Sequence, residues 1–198
     1  MAVATPPPEW DEEAASAPAQ AILAGGCFWC VEAVYWELRG VQALTSGYCG
    51  GAAEDAHYER VCSGRTGHAE ALRIDFDPGQ LSYGRILQVF FGVAHDPTQK
   101  DRQGNDIGPQ YRSAIFPLNP AQERVARAYI AQLERSGLFT GPIVTAIEGP
   151  ATFYPAEAYH QDYAHRHPDQ PYICAVARPK AISLRRIFPQ FLRTPSQE

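Results

Sequence analysis

Cys27 and Cys30 stand three residues apart in Gly25-Gly26-Cys27-Phe28-Trp29-Cys30, a spacing that sets two thiols on one face at a helix start, close enough to form a disulfide. The apolar run Ala21-Ile22-Leu23-Ala24 precedes them. Val31, Val34, Tyr35 and Leu38 follow at helical spacing, so Cys27 is expected at a strand-to-helix turn. Free N–H groups and the positive end of the helix dipole gather at such a turn and favour a thiolate, bringing a pKa of about 8.5 down to roughly 3.5 to 7.5. A redox pair or a reactive nucleophile is the chemistry this suggests. A small buried cysteine beside a tight turn is the plainer alternative. Zinc sites use the same spacing, but no second C-x-x-C and no C/H pair follows, so no metal is expected.

Glu70 is the second candidate. The stretch 68–76 alternates, with Leu72, Ile74 and Phe76 on one face and Arg73 and Asp75 on the other, and Glu70 has the parity of the apolar face. Desolvation there would raise its pKa and make it an acid near neutral pH. The competing reading is an edge-strand glutamate paired with Arg65 or Arg73. Asp106 lies in a long glycine-punctuated loop, 98–110, where it could accept hydrogen bonds from a substrate amide or simply form a turn. His160, His165 and His167 do not share a helical face and read as solvated or capping residues. By position alone Tyr58, Tyr111, Phe28 and Trp29 are as readily packing aromatics as site residues.

These residues need a scaffold, and the pattern supplies one. Residues 1–18 are expected to be a flexible N-terminal arm, because Pro6-Pro7-Pro8 and Asp11-Glu12-Glu13 offer little to bury, and residues 19–198 a single domain. After the first strand and helix come a strand over 41–48, the strand ending at Phe76, and a helix capped by Ser82 with Ile86, Leu87, Phe90, Phe91 and Ala94 as its stripe. A strand over 111–116 follows, then a helix from Asn119-Pro120 to Gly137, a strand over 142–148 and a helix over 155–165. The arginine-containing C-terminal tail shows no readable packing pattern. Strand, helix, strand, strand, helix, strand is the order of an α+β, ferredoxin-like two-layer α/β sandwich (split βαβ), here with an extra helix and a C-terminal extension. A doubly wound parallel sheet competes less well, since the strands beginning at 41 and 68 are joined without a helix.

Composition narrows the setting. With 17 Lys and Arg against 22 Asp and Glu, the net charge is -5 and the cations are scattered, so nucleic-acid binding is disfavoured. No apolar run is long enough to span a membrane, and the N-terminal stretch does not read as a secretory signal. Five cysteines form an odd, sparse set that suits a reducing, cytoplasmic compartment better than a disulfide framework.

Several motifs in fixed order resemble one family. Gly26-Cys27-Phe28-Trp29, Ser63-Gly64-Arg65-Thr66-Gly67-His68-Ala69-Glu70, Arg102-Gln103-Gly104-Asn105-Asp106 and Gln110-Tyr111-Arg112-Ser113 are similar to the A-type peptide methionine sulfoxide reductases. So are Tyr159-His160-Gln161-Asp162-Tyr163 and Gln170-Pro171-Tyr172-Ile173, and the resemblance spans about residues 20–189. It implies an oxidoreductase that reduces methionine S-sulfoxide, free or in oxidised proteins, by a thiol route without a cofactor. Cys27 would attack the sulfoxide sulfur; Glu70, Tyr58 and Tyr111 would bind and protonate its oxygen; Phe28 and Trp29 would hold the methyl group; Asp106 and His160 would bind substrate. Thioredoxin or another thiol reductant is the implied partner, and a monomer is expected.

Physical chemistry agrees with the division of labour. A sulfoxide oxygen leaves poorly unless protonated, so a sulfur nucleophile needs an acid beside it. The resulting sulfenic acid needs a second thiol to form a disulfide. The chain departs from the common family pattern here, with Cys30 where many members have glycine and no cysteine after Cys174. Cys30 is the first candidate for the resolving thiol by spacing and Cys174 the second by its place near the tail. Cys49 and Cys62 stay open, as does direct reduction by an external thiol. Two rival readings remain: a thioredoxin-like disulfide oxidoreductase using Cys27 and Cys30, and a binding module whose five thiols are merely structural and slow to alkylate.

Overall fold

In the computed structural model, which describes residues 2–11 and 17–194, the alternation seen in the sequence becomes the two faces of one mixed sheet. The chain runs β1 (Ala19–Gly25), α1 (Phe28–Tyr35), β2 (Val41–Cys49), α2 (Tyr58–Cys62), β3 (Ala69–Phe76) and α3 (Tyr83–Val89), the last prolonged by a π-helical turn, Phe90–Ala94. It continues through β4 (Arg102–Gln103), β5 (Asp106–Ile107), β6 (Ser113–Phe116), α4 (Pro120–Ser136), β7 (Ala146–Ile147), β8 (Phe153–Pro155) and α5 (Tyr163–Arg166). A second π-helical turn, Ile173–Ala177, leads into α6 (Arg178–Ile187).

Six strands align in the order β7-β6-β1-β3-β2-β8, and β4 with β5 forms a separate hairpin. Neighbours in the large sheet are antiparallel except β6 and β7. The fold is thus mixed α/β, a central sheet covered by helices. On the covered face Leu23, Leu72, Ile74 and Phe76 pack with Val34 and Tyr35 of α1, Leu87 of α3 and Tyr129 of α4, all essentially inaccessible. Each such side chain contributes roughly 1.5 to 3 kcal/mol of burial free energy. The opposite face carries smaller groups, among them Ala24, Ala69, Ala71 and Ala114. A separate apolar cluster surrounds Cys27, Phe28 and Cys30 at one end of the sheet.

The capped helix forms as its sequence dictates: Asn119 Oδ1 accepts from the Gln122 N–H at 2.8 Å, Pro120 opens α4, and Gly137 closes it at φ +62°. Elsewhere the structure corrects the expectation. The helix expected over 155–165 is broken into Pro155 at the end of β8, a 3-10 turn at Ala158–His160, and α5. The cause is local: the Gln161 side chain is drawn to Ser46 and Ala156, and Asp162 takes a left-handed conformation at φ +52°, which no helix continues through. The strand over 142–148 shrinks to two residues, Tyr111 lies in a 3-10 turn before β6, and the unread tail is largely helical.

Residues 2–11, expected to be flexible, lie along α3 and α4. The Val3 N–H donates to Gly92 O at 2.7 Å, buried Thr5 exchanges hydrogen bonds with Gln88, and the Tyr129 hydroxyl donates to Pro6 O at 2.7 Å. Asp11 accepts from Gly84 N–H at 2.8 Å; Glu12 and Glu13 lie outside the described residues. Among the described residues, no helix is long and apolar enough to cross a membrane.

Candidate active site

The turn that carries Cys27 depends on Gly26. Its φ is +88°, and a Cβ there would come within 2.6 Å of Gln103 Cγ. Gln103 itself is clasped by Asp96, accepting from its N–H at 2.9 Å and donating to its carbonyl at 2.7 Å, so the long loop is braced against the turn. Cys27 occupies the N-cap of α1 without a side-chain capping bond. The first helical donor, Phe28 N–H, goes instead to Glu70 Oε2 at 3.0 Å. This overturns the expected thiolate. Cys27 is 8% exposed, and burial followed by the hydrogen bond and charge of Cys30 pushes its pKa well above the ordinary thiol value. Cys30 moves the other way, held down chiefly by its hydrogen bond with Cys27 and further by the Lys180 ammonium, against the opposing effect of burial.

Glu70 lies beneath this helix start, buried on the covered face at the head of β3. Burial raises its pKa to about 8, although the Phe28 N–H pulls it down. It is therefore a carboxylic acid at neutral pH. The arginine-paired alternative is not what forms, because Arg73 turns to Asp75 at 3.5 Å and to Thr45. Tyr58 and Tyr111 are half-buried, and burial above all, with neighbouring Cys62 next for Tyr58, keeps both phenols protonated. Two clamps hold them. Glu157 accepts from Tyr58 N–H at 2.9 Å and from the Tyr48 hydroxyl at 2.8 Å. The Arg112 fork grips Glu148 at 2.6 and 3.0 Å while donating to Gly67 O and Pro109 O, which ties the approach to β3 to the turn bearing Tyr111.

Aromatic rings wall the other side. Phe28 lies against His160 at 5.1 Å, Trp29 stacks on Tyr163 at 3.9 Å, and Tyr58 lies 4.4 Å from His160. His160 is thus buried rather than solvated, which corrects the earlier expectation, and burial lowers its pKa. Neither of its ring nitrogens nor Trp29 Nε1 has a hydrogen-bond partner among the described residues. Beside Cys27 opens a cleft of about 750 Å³, lined by Cys30, Gln103, Asp106, Tyr172 and Lys180. There the Cys30 thiol donates to the Tyr172 oxygen at 3.6 Å, and the Tyr172 hydroxyl makes a short hydrogen bond to Asp106.

The fold therefore gathers Cys27, Phe28, Trp29, Cys30, Tyr58, Glu70, Asp106, Tyr111 and His160 around one helix start. Cys174 does not join them; its thiol turns to Pro168 O at 3.3 Å. Cys49 is buried in the sheet, and Cys62, exposed, neighbours Tyr58. Sequence reasoning missed Tyr172, Tyr163, Glu157 and Lys180 as parts of the site. The motif around Tyr172 was visible, but its partners are 66 and 142 residues away in the chain. Among the described residues, no group of three or more His, Cys, Asp or Glu is placed to hold a metal ion.

This chemistry can be set beside known proteins. The family described as "Peptide methionine sulfoxide reductase" matches residues 19–191. A peptide methionine sulfoxide reductase MsrA 2 from Mesorhizobium japonicum is 51% identical over 179 residues, covering 90% of this chain and 92% of its own. MsrA from Deinococcus radiodurans is 53% identical over 178 residues, covering 90% and 86%. Among solved structures, reduced Mxr1 from Saccharomyces cerevisiae superposes with a TM-score of 0.70 at 30% identity, covering 82% of this chain and 92% of the other.

Proposed function

The chain belongs to the peptide methionine sulfoxide reductase family, and we propose that it reduces methionine S-sulfoxide, free or in proteins, with Cys27 as nucleophile and Glu70 as acid. It is an oxidoreductase whose reaction consumes thiols. The observation that carries the assignment of roles is the neutral, buried Glu70 fixed by the Phe28 N–H at the foot of the Cys27 turn. Glu70 gives a proton to the sulfoxide oxygen as Cys27 sulfur attacks the substrate sulfur, and regains the proton that the thiol gives up. The oxygen ends on Cys27 as a sulfenic acid, and methionine leaves. Tyr58 and Tyr111 donate hydrogen bonds to the developing oxygen charge. Phe28, Trp29 and His160 form the wall for the methyl group, with Asp106 beside them for the substrate's polar groups.

Cys30 is the resolving thiol in this reading, because it stands one helical turn from Cys27 and interacts with its thiol, and its lowered pKa favours a thiolate. Its sulfur displaces the hydroxyl from Cys27 as water and leaves a Cys27–Cys30 disulfide. Thioredoxin or a similar dithiol then reduces that bond and is itself oxidised. We also read residues 19–198 as one domain with a ferredoxin-like split-βαβ core, on the antiparallel β6-β1-β3-β2 order, and the chain as a cytoplasmic monomer. Cys27→Ser is the test of the whole assignment: methionine formation from methionine S-sulfoxide should vanish, and full activity in that variant would refute it. A protein that instead reduces insulin disulfides and ignores sulfoxides would be the thioredoxin-like oxidoreductase.

A further inference from the structure

We propose that Glu32 is a positioning residue for the sulfoxide site: from α1 its carboxyl holds the start of α5, so that Tyr163 and His160 close the aromatic wall on Trp29. The role of that wall rests on the functional reading above; the tether itself does not. Glu32 is three residues beyond Trp29 on the same helix and 2% exposed. Its Oε1 accepts from the Asp162 N–H at 3.1 Å, and the N–H groups of Tyr163 and Ala164 also favour its charged form. These donors open α5, and the first N–H groups of a helix have no partner within it. Four residues of helix have little stability of their own, so an external acceptor decides where this turn sits.

The backbone at this point needs holding. Asp162 adopts φ +52°, a conformation uncommon for non-glycine residues though one aspartate tolerates better than most, and it is held there from both sides. On the far side Gln161 donates to Ser46 O and Ala156 O at 2.9 Å and accepts from Ser46 N–H at 2.9 Å. Glu32 and Gln161 therefore pin one short segment from both flanks. The segment carries Tyr163, stacked on Trp29 at 3.9 Å with an 11° interplanar angle, and His160, 5.5 Å from the same ring. Packing alone would be served by leucine at position 32. A carboxyl there is retained against its burial, which raises its pKa to about 7.

The test uses the full chain with Trp10→Phe and Trp36→Phe, leaving Trp29 as the single tryptophan. Glu32→Met keeps the volume and removes the acceptor; Glu32→Gln keeps an acceptor. For Glu32→Met the KM for methionine S-sulfoxide should rise about tenfold with kcat changed less than about threefold. Acrylamide quenching of Trp29 should increase in the same variant, and Glu32→Gln should restore both. In the unsubstituted protein, amide hydrogen exchange should show residues 162–164 protected, a readout that needs no variant to fold. Native KM and quenching in Glu32→Met, a Gln variant as impaired as the Met variant, or unprotected amides at 162–164 would each overturn the proposal. Should the protein prove inactive on sulfoxide altogether, the functional reading fails, while quenching and exchange still decide the part played by Glu32.

Discussion

At the scale of single residues the site is governed by burial competing with local donors. The N-cap position of Cys27 invites a thiolate, but the helix donor is spent on Glu70 and the thiol is desolvated, so the resting pair is a neutral thiol over a neutral acid. That arrangement predicts a pH dependence. Glu70, the proposed acid, is protonated below about 8 and would lose that role above this value, so single-turnover methionine release should fall as pH rises through about 8. Glu70→Gln should lose this limb and run on the order of 10² to 10⁴ times slower; unchanged turnover would remove Glu70 from the acid role. The same group sets a stability effect of opposite benefit. Between an unfolded pKa near 4.3 and the folded value of about 8 the native state holds a proton that the unfolded state releases, so stability declines as pH rises through this window. Glu70→Gln, whose amide oxygen can still accept from Phe28, should therefore melt above the wild type at about pH 9 and not at about pH 4, as calorimetry would show.

At the scale of elements, what was legible in the sequence was what repeats locally. Glu70 betrayed its burial because Leu72, Ile74 and Phe76 fix the parity of β3, and α4 announced itself through Asn119, Pro120 and Gly137. The region from 155 onward was not legible, because its short turns are shaped by distant partners: Gln161 by Ser46, Asp162 by Glu32, Tyr172 by Asp106. The thiolate expectation failed for a related reason, since a helix dipole is visible in the sequence whereas desolvation depends on the assembled fold. The Arg112 fork is the corresponding long-range brace for Tyr111. Arg112→Lys cannot reproduce its four contacts to Glu148, Gly67 and Pro109. It should cost about 1 to 3 kcal/mol, seen as a lower melting temperature together with slower turnover; a variant unchanged in both would show that the brace is dispensable.

At the scale of the whole molecule, the short proline-rich segment of residues 2–11 lies hydrogen-bonded against the helices. Composition gave it little to bury, yet its backbone supplies acceptors for Gln88, Tyr129 and Gln132, polar side chains on α3 and α4 that would otherwise lose their partners. Deleting residues 1–11 should lower the melting temperature, each orphaned group costing about 1 to 3 kcal/mol; an unchanged melting curve would show these contacts to be inconsequential. The helices that this segment covers back the sheet whose other end holds Cys27, Glu70 and the aromatic wall, so one folded body brings together the proposed nucleophile, acid and resolving thiol. The most direct test of that account is intact mass and peptide mapping after one equivalent of methionine S-sulfoxide, with no reductant present. The account predicts one methionine released, a protein lighter by two hydrogens, and a single disulfide joining Cys27 to Cys30. Release of methionine with Cys27 unmodified, or with its sulfur bonded to a different cysteine, would contradict it.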